Sequence, residues 1–549
     1  MLNDDRLTTL RAWQAQDPDP ATVAALDHLI ERAERGDSEA VAEVVDAFAG
    51  RLAFGTAGLR AALGPGPNRM NRVVVSQAAA GLARWLVANG HAGARVIVGY
   101  DARYNSDVFA RDTAEILAGH GLTPLLTDRH VPTPLVAFAL GHLGCAAGVM
   151  VTASHNPPQD NGYKVYVGRS QIVPPTDAEI AAQIDAVAAE PLADIPRSDA
   201  YSLVGDDLVD AYVARAASLV TLDAPRDLVW AYTPLHGVGA DVVARVLAAT
   251  GFPAPALVDA QALPDPAFPT VAFPNPEEPG AMDLALALAA EVGADIAIAN
   301  DPDADRCALA APFDGTWRML SGDELGWLLA DDALARGAQG TYACSVVSST
   351  LLSAMAAAGG QPFAMTLTGF KWIGRVPGLA LGYEEAIGYC TDPDAVADKD
   401  GISTLTRLLA LAAQLKAQGG TVAGRLDDIA RRFGVHVTAQ LSFRVADLSL
   451  IGDAMARLRD RLPAALAGVA VEASDLNDGW HGLPPTDGVL FEGAGVRAVA
   501  RPSGTEPKLK VYLQVNLPAE RSADLAAARA HASATMTQLK ADMTAALGL

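Results

Sequence analysis

Apolar positions along this chain fall into short blocks divided by polar turns, and the length and period of each block predict its element. Residues 1–50 carry a helical period. Asp19-Pro20 opens one helix, Leu26, Leu29 and Ile30 form its stripe, Gly36 ends it, and Ser38 is expected to cap the next, which closes near Gly50. From 73 to 167, strand-length runs at 95–100, 122–126, 146–151 and 163–166 alternate with helical stretches at 106–119 and 134–143. The rhythm resumes after about residue 201, with strands at 228–232 and 295–298 and a helix at 282–292. It starts again near Ser321, with strands at 342–347 and 379–383, helices at 349–358 and 402–417, and 368–372 as a loop. After about 438 the pattern becomes half-exposed alternation at 440–445, strands at 489–491, 496–500 and 510–515, and a closing helix at 522–547. Strands separated by helices imply mainly parallel sheets covered on both faces, and the last segment implies an antiparallel sheet with helices. The expected fold class is α/β: three α/β domains with mixed, mainly parallel sheets plus a C-terminal α+β domain, around a central cleft. The expected boundaries are 1–200, 201–318, 319–438 and 439–549.

A chain of 549 residues exceeds what one hydrophobic core serves, which agrees with several domains. The formal charge of −23 argues against nucleic-acid binding and against adhesion to anionic membranes, so an anionic substrate would need a local basic cluster. Cys145, Cys307, Cys344 and Cys390 form no CxxC pair and read as small buried residues in a reducing compartment. The polar start Met1-Leu2-Asn3-Asp4-Asp5 is unlike a signal peptide, and no apolar run is long enough to span a bilayer, so a cytoplasmic location is expected.

The candidate chemistry lies where strands end. Thr152-Ala153-Ser154-His155-Asn156-Pro157 follows the apolar run 146–151, and ligands on parallel sheets bind beyond the carboxyl ends of the strands. Ser154 there is a candidate nucleophile; a turn rich in Ser, Asn and Pro also occurs without chemistry. His155 is a proton carrier or a loop support. Asp301, Asp303 and Asp305 follow the run 295–298. Three close carboxylates repel one another, and a hard cation such as Mg²⁺ or Ca²⁺ offsets that repulsion. An EF-hand would need Gly at loop position six and Glu at twelve; Arg306 and Pro312 stand there. Arg501-Pro502-Ser503-Gly504-Thr505-Glu506-Pro507-Lys508 offers hydroxyls, a permissive glycine and cations, as an anion receptor requires. Lys164, Lys371, Lys399 and Lys508 sit in or beside these loops, and a lysine in a cleft can act as acid or base. In Phe54-Gly55-Thr56-Ala57-Gly58-Leu59-Arg60 the glycines allow a sharp turn, and Arg60 can meet an anion or pair with a carboxylate. Glu384 and Glu385 follow a strand and can accept from sugar hydroxyls or serve as a structural pair.

Together the loops at 152–157, 301–306, 384–385 and 501–505 resemble, in order and spacing, the four signature loops of the α-D-phosphohexomutases, the phosphoglucomutases and phosphomannomutases. The resemblance covers nearly the whole chain. It implies that Ser154 carries a phosphate and that Mg²⁺ sits on Asp301, Asp303, Asp305 and a phosphoserine oxygen. Phosphoserine would donate to a sugar phosphate, and a bisphosphosugar would turn over and return the other phosphate; a catalytic bisphosphosugar such as glucose 1,6-bisphosphate would prime the enzyme. It further implies that Arg306 neutralises the transferring group and that Lys164 and Lys399 transfer protons or contact substrate. Arg60 and His155 match cleft positions. Thr368, Gly369 and Lys371 match the hexose-ring loop, and by the same resemblance Arg501, Ser503, Gly504 and Thr505 would hold the non-reacting phosphate. The four domains become a helical arm with the phosphoserine domain, a metal domain, a sugar domain and a phosphate domain. The expected partner is a small sugar phosphate, and the chain is expected to act as a monomer or homodimer. One departure stands out. Where many hexose mutases have Glu-x-Ser-Gly, this chain reads Glu385-Ala386-Ile387-Gly388, closer to the branch containing phosphopentomutases and glucose-1,6-bisphosphate synthases. The expected reaction moves phosphate between O1 and O6 of a hexose, glucose first and mannose second, with a pentose mutase or a glucose-1,6-bisphosphate synthase as the alternative. A phosphotransferase with an aspartate nucleophile is a remote rival. A serine hydrolase is disfavoured by the absence of Gly-x-Ser-x-Gly around Ser154.

Overall fold

The computed structural model describes residues 4–444, 449–502 and 508–548. The chain divides into two compact units, residues 1–307 with 394–406, and residues 308–393 with 407–549.

The first unit opens with the helices Asp4–Gln16, Pro20–Glu34 and Ser38–Ala47. The first of them lies in a stretch whose periodicity did not single it out. Asp19 and Pro20 begin the second helix as expected. The third is capped by Asp37 and not by Ser38: the Asp37 carboxylate accepts from the Glu39 and Ala40 N–H groups at 3.0 and 3.3 Å. A carboxylate also meets the positive end of the helix dipole, which a hydroxyl does not. Leu10, Trp13, Leu26, Ile30 and Val44 pack together and onto Val73 of the helix Arg72–Ala88.

Behind this arm lies a mixed sheet in the order Leu59–Ala62, Asp160–Val167, Ala147–Val151, Arg95–Tyr100, Thr123–Thr127, Ser202–Val204. The last four run parallel, and Asp160–Val167 turns back antiparallel on both of its neighbours. Pro157 and Pro158 keep the intervening loop from coiling, so the chain returns beside the strand it has just left. The helices Arg72–Ala88, Ser106–Gly119, Thr133–His142 and Thr176–Ala188 pack around this sheet and on one another. A second parallel group in the same unit joins Trp230–Thr233 to Ile296–Asn300 and Ala256–Leu257.

The second unit contains a hairpin in which Ala310–Phe313 pairs antiparallel with Thr316–Met319. It also contains a sheet in which Phe363–Thr366, Thr341–Ser345 and Leu379–Glu384 are parallel and Gly388–Cys390 is antiparallel. Residues 368–372, expected as a loop, include the helical turn Phe370–Ile373, entered through Gly369 at a φ of 103° that favours glycine. The last sheet is antiparallel throughout, in the order Val435–Arg444, Lys508–Leu517, Val496–Pro502, Val489–Gly493, Val469–Asp475, Ala465–Leu466. The helices Ser449–Asp460 and Leu525–Leu547 close its core through Ile451, Met455, Leu458, Met536, Leu539 and Met543. No helix among the described residues is long and apolar enough to cross a membrane.

Candidate active site

Ala147–Val151 is buried at every position and pairs with Arg95–Tyr100 in parallel register. The residues that follow the two strands are therefore neighbours. Thr152 Oγ1 donates to Asp101 Oδ2 at 2.7 Å and accepts from the Ser154 N–H at 2.8 Å, and Arg103 Nη2 donates to the Ser154 carbonyl at 2.8 Å. These bonds hold Ser154 at a φ of 53°, a left-handed conformation that costs a residue with a Cβ roughly 1–2 kcal/mol. Held so, Ser154 Oγ donates to Asp301 Oδ2 at 2.7 Å and lies 3.1 Å from His155 Nδ1. Burial, then the neighbouring cations Arg306 and Arg60, pushes the His155 imidazole well below its usual range, which favours the uncharged ring. Arg60 Nη1 donates to Asn156 Oδ1 at 3.1 Å, on the far side of the same loop.

Asp301, Asp303 and Asp305 follow the strand Ile296–Asn300, and all three are fully buried. Ligand atoms from the three lie within 4.8 Å of one another. Lys164 Nζ donates to Asp303 Oδ2 at 2.7 Å and to Asp305 Oδ2 at 2.8 Å, and Thr133 Oγ1 donates to Asp303 Oδ2 at 2.6 Å. The Arg306 N–H donates to Asp301 Oδ1 at 2.9 Å. Burial, then the two neighbouring carboxylates, drives the Asp301 carboxyl well above its usual range. At Asp303 burial is the largest influence and pushes the same way, but the Lys164 ammonium together with hydrogen bonds from Asp301, Lys164 and Thr133 outweighs it and holds the group below its usual range. Burial favours the neutral amine of Lys164, and Asp303 and Asp305 reverse this, so its pKa is raised. Asp303 Oδ1 and Asp305 Oδ1 are buried without a hydrogen-bond partner. Hard, orphaned oxygens in one cluster fit Mg²⁺.

Lys399 reaches the same cluster, its Nζ 3.4 Å from Asp305 Oδ2. It comes from residues 394–406, which belong to the first unit although the sequence around them belongs to the second. Tyr166 OH and Gln171 Nε2 donate to Asp398 Oδ2 at 3.0 and 2.8 Å, and Tyr212 OH donates to Asp400 Oδ1 at 2.7 Å, which fixes both residues beside Lys399. Gly401 closes the turn against the metal loop. A Cβ there would stand 2.2 Å from the Arg306 carbonyl and 2.6 Å from Asn300 Nδ2. Gly401→Ala is expected to cost about 1–3 kcal/mol of stability and to weaken Mg²⁺ binding by displacing Asp301–Asp305. Denaturant titration and Mg²⁺ calorimetry read the two effects, and an unchanged Mg²⁺ affinity would show that the loop does not depend on this contact.

In the second unit, the strand Leu379–Glu384 ends at the carboxylates of Glu384 and Glu385. Glu384 is buried, and Glu385 Oε2 accepts from Ser345 Oγ and Ser348 Oγ at 3.0 and 3.1 Å. Ile387 is fully buried at a φ of 51°. Thr368 and Lys371 are half-buried on either side of Gly369. Arg501 pairs with Lys510, and Arg444 with Lys508, across the last sheet. Directly opposed residues share a face, and Lys508 and Lys510 are two apart, so all four cations lie on one face at one end of the sheet. These four form a local basic cluster of the kind an anionic substrate would need, and Arg444 is an addition to the sequence-predicted cations. Ser503, Gly504 and Thr505 lie outside the described residues.

Four stretches of the chain match one family in order. Residues 51–190, 210–312 and 321–433 match alpha/beta/alpha domains I, II and III of phosphoglucomutase/phosphomannomutase, and 444–532 match its C-terminal domain. The chain belongs to the phosphoglucomutase/phosphomannomutase family. This family member is 50% identical over 465 residues to a Haemophilus influenzae protein named "Probable phosphomannomutase", covering 83% of this chain and 95% of the other. It is 34% identical over 567 residues to human phosphopentomutase, covering 92% of this chain and 90% of the other. A crystal structure of parafusin, the Paramecium phosphoglucomutase, shares the fold, with a TM-score of 0.70 at 19% identity over 91% of this chain and 96% of that one. The chain is therefore a phosphomutase, an isomerase that moves phosphate within a sugar phosphate, and its acidic triad suits the Mg²⁺ on which the family depends.

The structure brings Ser154, His155, Arg60, Lys164, Lys399, Arg306 and the three aspartates together in one unit. Sequence reasoning missed the supports of this candidate site: Asp101, Arg103, Thr133 and Tyr232, whose OH donates to Asn300 Oδ1 at 2.9 Å. Asp101 and Arg103 carried a usable signal, since they directly follow a strand parallel to the one before Ser154.

Proposed function

We propose that Ser154 is the phosphate carrier, with Asp301, Asp303, Asp305 and a phosphoserine oxygen holding Mg²⁺. The observation that carries this reading is the 2.7 Å contact between Ser154 Oγ and Asp301, with Lys164 on the other two carboxylates. Mg²⁺ bound there would neutralise charge on phosphoryl oxygens. Arg306 and Arg60 add positive charge beside the loop, Lys164 and Lys399 stand within reach for proton transfer, and neutral His155 supports the serine hydroxyl. Thr368, Gly369, Lys371, Glu384 and Glu385 would contact the sugar. Arg501, Ser503, Gly504, Thr505 and Lys508 would hold the phosphate that does not react. A bisphosphosugar primes the serine. Domain boundaries near 200, 318 and 438 assign one signature loop to each domain. An aspartate nucleophile is disfavoured because Asp301, its candidate, is buried with Oδ1 and Oδ2 both accepting hydrogen bonds from the protein.

The substrate we infer is a hexose phosphate, glucose first and mannose second, exchanged between O1 and O6. Relatives named for hexoses support the class: the half-identical one is named for mannose, and a Staphylococcus aureus relative, 32% identical, is named for glucose. The second reading, a pentose phosphate exchanged between O1 and O5, is favoured by Ile387, whose buried side chain offers no hydroxyl to a sugar, and by the human relative. The deciding measurement is kcat/KM for glucose 1-phosphate, mannose 1-phosphate and ribose 1-phosphate with Mg²⁺ and a bisphosphosugar. A hexose is expected to lead by at least about tenfold, or about 1.4 kcal/mol of transition-state discrimination; a lead for ribose replaces the hexose assignment with the pentose one.

A further inference from the structure

We propose that Arg103 is a positioning residue for phosphoryl transfer, which sets the Ser154 loop and locks it in register with the aspartate loop. The proposal rests on Ser154 being the phosphate carrier.

Arg103 is buried; its Nε lies 3.4 Å from Asp101 Oδ2, and its other two nitrogens meet carbonyls of the serine loop and of Asp160, where the next strand begins. Nη1 donates to Pro157 O at 2.9 Å and to Asp160 O at 3.0 Å, while Nη2 donates to Ser154 O at 2.8 Å and to Asn156 O. Residues 152–159 form no helix or strand and include two prolines, so the Ser154 and Asn156 carbonyls have no ladder to satisfy them; Pro157 O also accepts from the Asp160 N–H at 3.1 Å, and Asp160 opens the next strand. One planar, permanently charged fork satisfies four at once. A lysine, with a point charge and no fixed plane, cannot reproduce the fan.

The same residue reaches Ser154 from its other side. Asp101 accepts from the Arg103 N–H at 3.0 Å and from Thr152 Oγ1 at 2.7 Å, and Thr152 Oγ1 accepts from the Ser154 N–H at 2.8 Å. The N–H and C=O of Ser154 are thus both tied to the Asp101–Arg103 pair. The left-handed backbone that aims Oγ at Asp301 is held from both ends.

Arg103 also reaches toward the metal loop. Its guanidinium carbon lies 4.9 Å from the centre of the Phe268 ring. The Phe268 N–H donates to Asp265 O, the Asp265 N–H donates to His236 O, and two residues on, the Val238 N–H donates to Pro302 O at 2.8 Å. Gly237 lies so close to Pro302 that a Cβ would stand 2.4 Å from its Cα. One side chain therefore connects the backbone of the serine loop to the support of the aspartate loop. Phosphoryl transfer depends on placement, and an error of about 1 Å costs on the order of 100-fold in rate.

The test measures, in Arg103→Ala, the rate at which a bisphosphosugar phosphorylates Ser154, together with kcat, KM and Tm. The expected result is a rate and kcat about 100-fold lower with KM little changed, and recovery of at least about tenfold on adding non-denaturing guanidinium. A purely structural role would lower Tm without rescue of the rate. An unchanged rate, or a slowed rate that guanidinium leaves unmoved, overturns the proposal. If R103A does not fold, R103K carries the test: a rate at least about tenfold lower supports the proposal, and a wild-type rate overturns it. Mass spectrometry of the wild-type protein separates the two readings, because phosphate on a residue other than Ser154 removes the carrier itself, whatever Arg103 does.

Discussion

Ser154→Ala is expected to lower mutase kcat/KM by about 10⁴-fold or more while leaving the fold in place. Loss of a covalent nucleophile from an assembled site typically costs that much, and what survives comes from binding and charge stabilisation. The fold should tolerate the change because the side-chain oxygen contacts only Asp301 and His155. The backbone bonds that set the turn, from Ser154 N to Thr152 and from Arg103 to Ser154 O, do not involve it. Alanine inherits the left-handed φ at a similar cost. A coupled assay, Tm and intact mass after exposure to a bisphosphosugar measure the three consequences. Near-normal turnover, or phosphate incorporated at the wild-type level, would remove Ser154 from the mechanism.

Lys164→Met should separate charge balance from catalysis. The ammonium is held by Asp303 and Asp305 at 2.7 and 2.8 Å, deep in the unit. Removing it leaves buried carboxylates without that counter-charge, an arrangement that typically costs about 3–5 kcal/mol when one partner of a buried pair is lost. In EDTA, Tm should therefore fall sharply. Added Mg²⁺ supplies the missing positive charge, so the rise in Tm from EDTA to Mg²⁺ should be larger in the variant than in the wild type. If Lys164 also moves a proton, kcat should stay about 10²–10⁴-fold down after Mg²⁺ has restored the fold. Equal Mg²⁺ effects on Tm in both proteins would show that Lys164 does not balance the metal carboxylates. Full activity in Mg²⁺ would leave proton transfer to Lys399.

The residues of the candidate site that are close together along the chain could be named in advance. The Asp301, Asp303, Asp305 triplet, the serine loop and the cations flanking residues 503–507 are each contiguous, and a strand end placed each of them. Period and run length marked most strands because burial on both faces leaves an unbroken apolar run. The helical turn at Phe370–Ile373 escaped because four residues are too short to show a period. The cap of Ser38–Ala47 was misplaced by one residue because Asp and Ser are adjacent and both are good caps.

What the sequence determined by itself was the order of the elements, the four signature loops and, through them, the reaction class. These depend on local chemistry and on patterns a few residues long. Only the tertiary structure decided which groups meet: that Lys399 joins Asp305 across 94 residues of chain, that Arg103 gathers the carbonyls of the serine loop, and that Ile387 is buried. Those pairings come from strand register and from where a chain excursion such as 394–406 packs, and neither leaves a local signal. A buried arginine reads in sequence like a solvated one; the carbonyls it must satisfy exist only once the loop has folded around it.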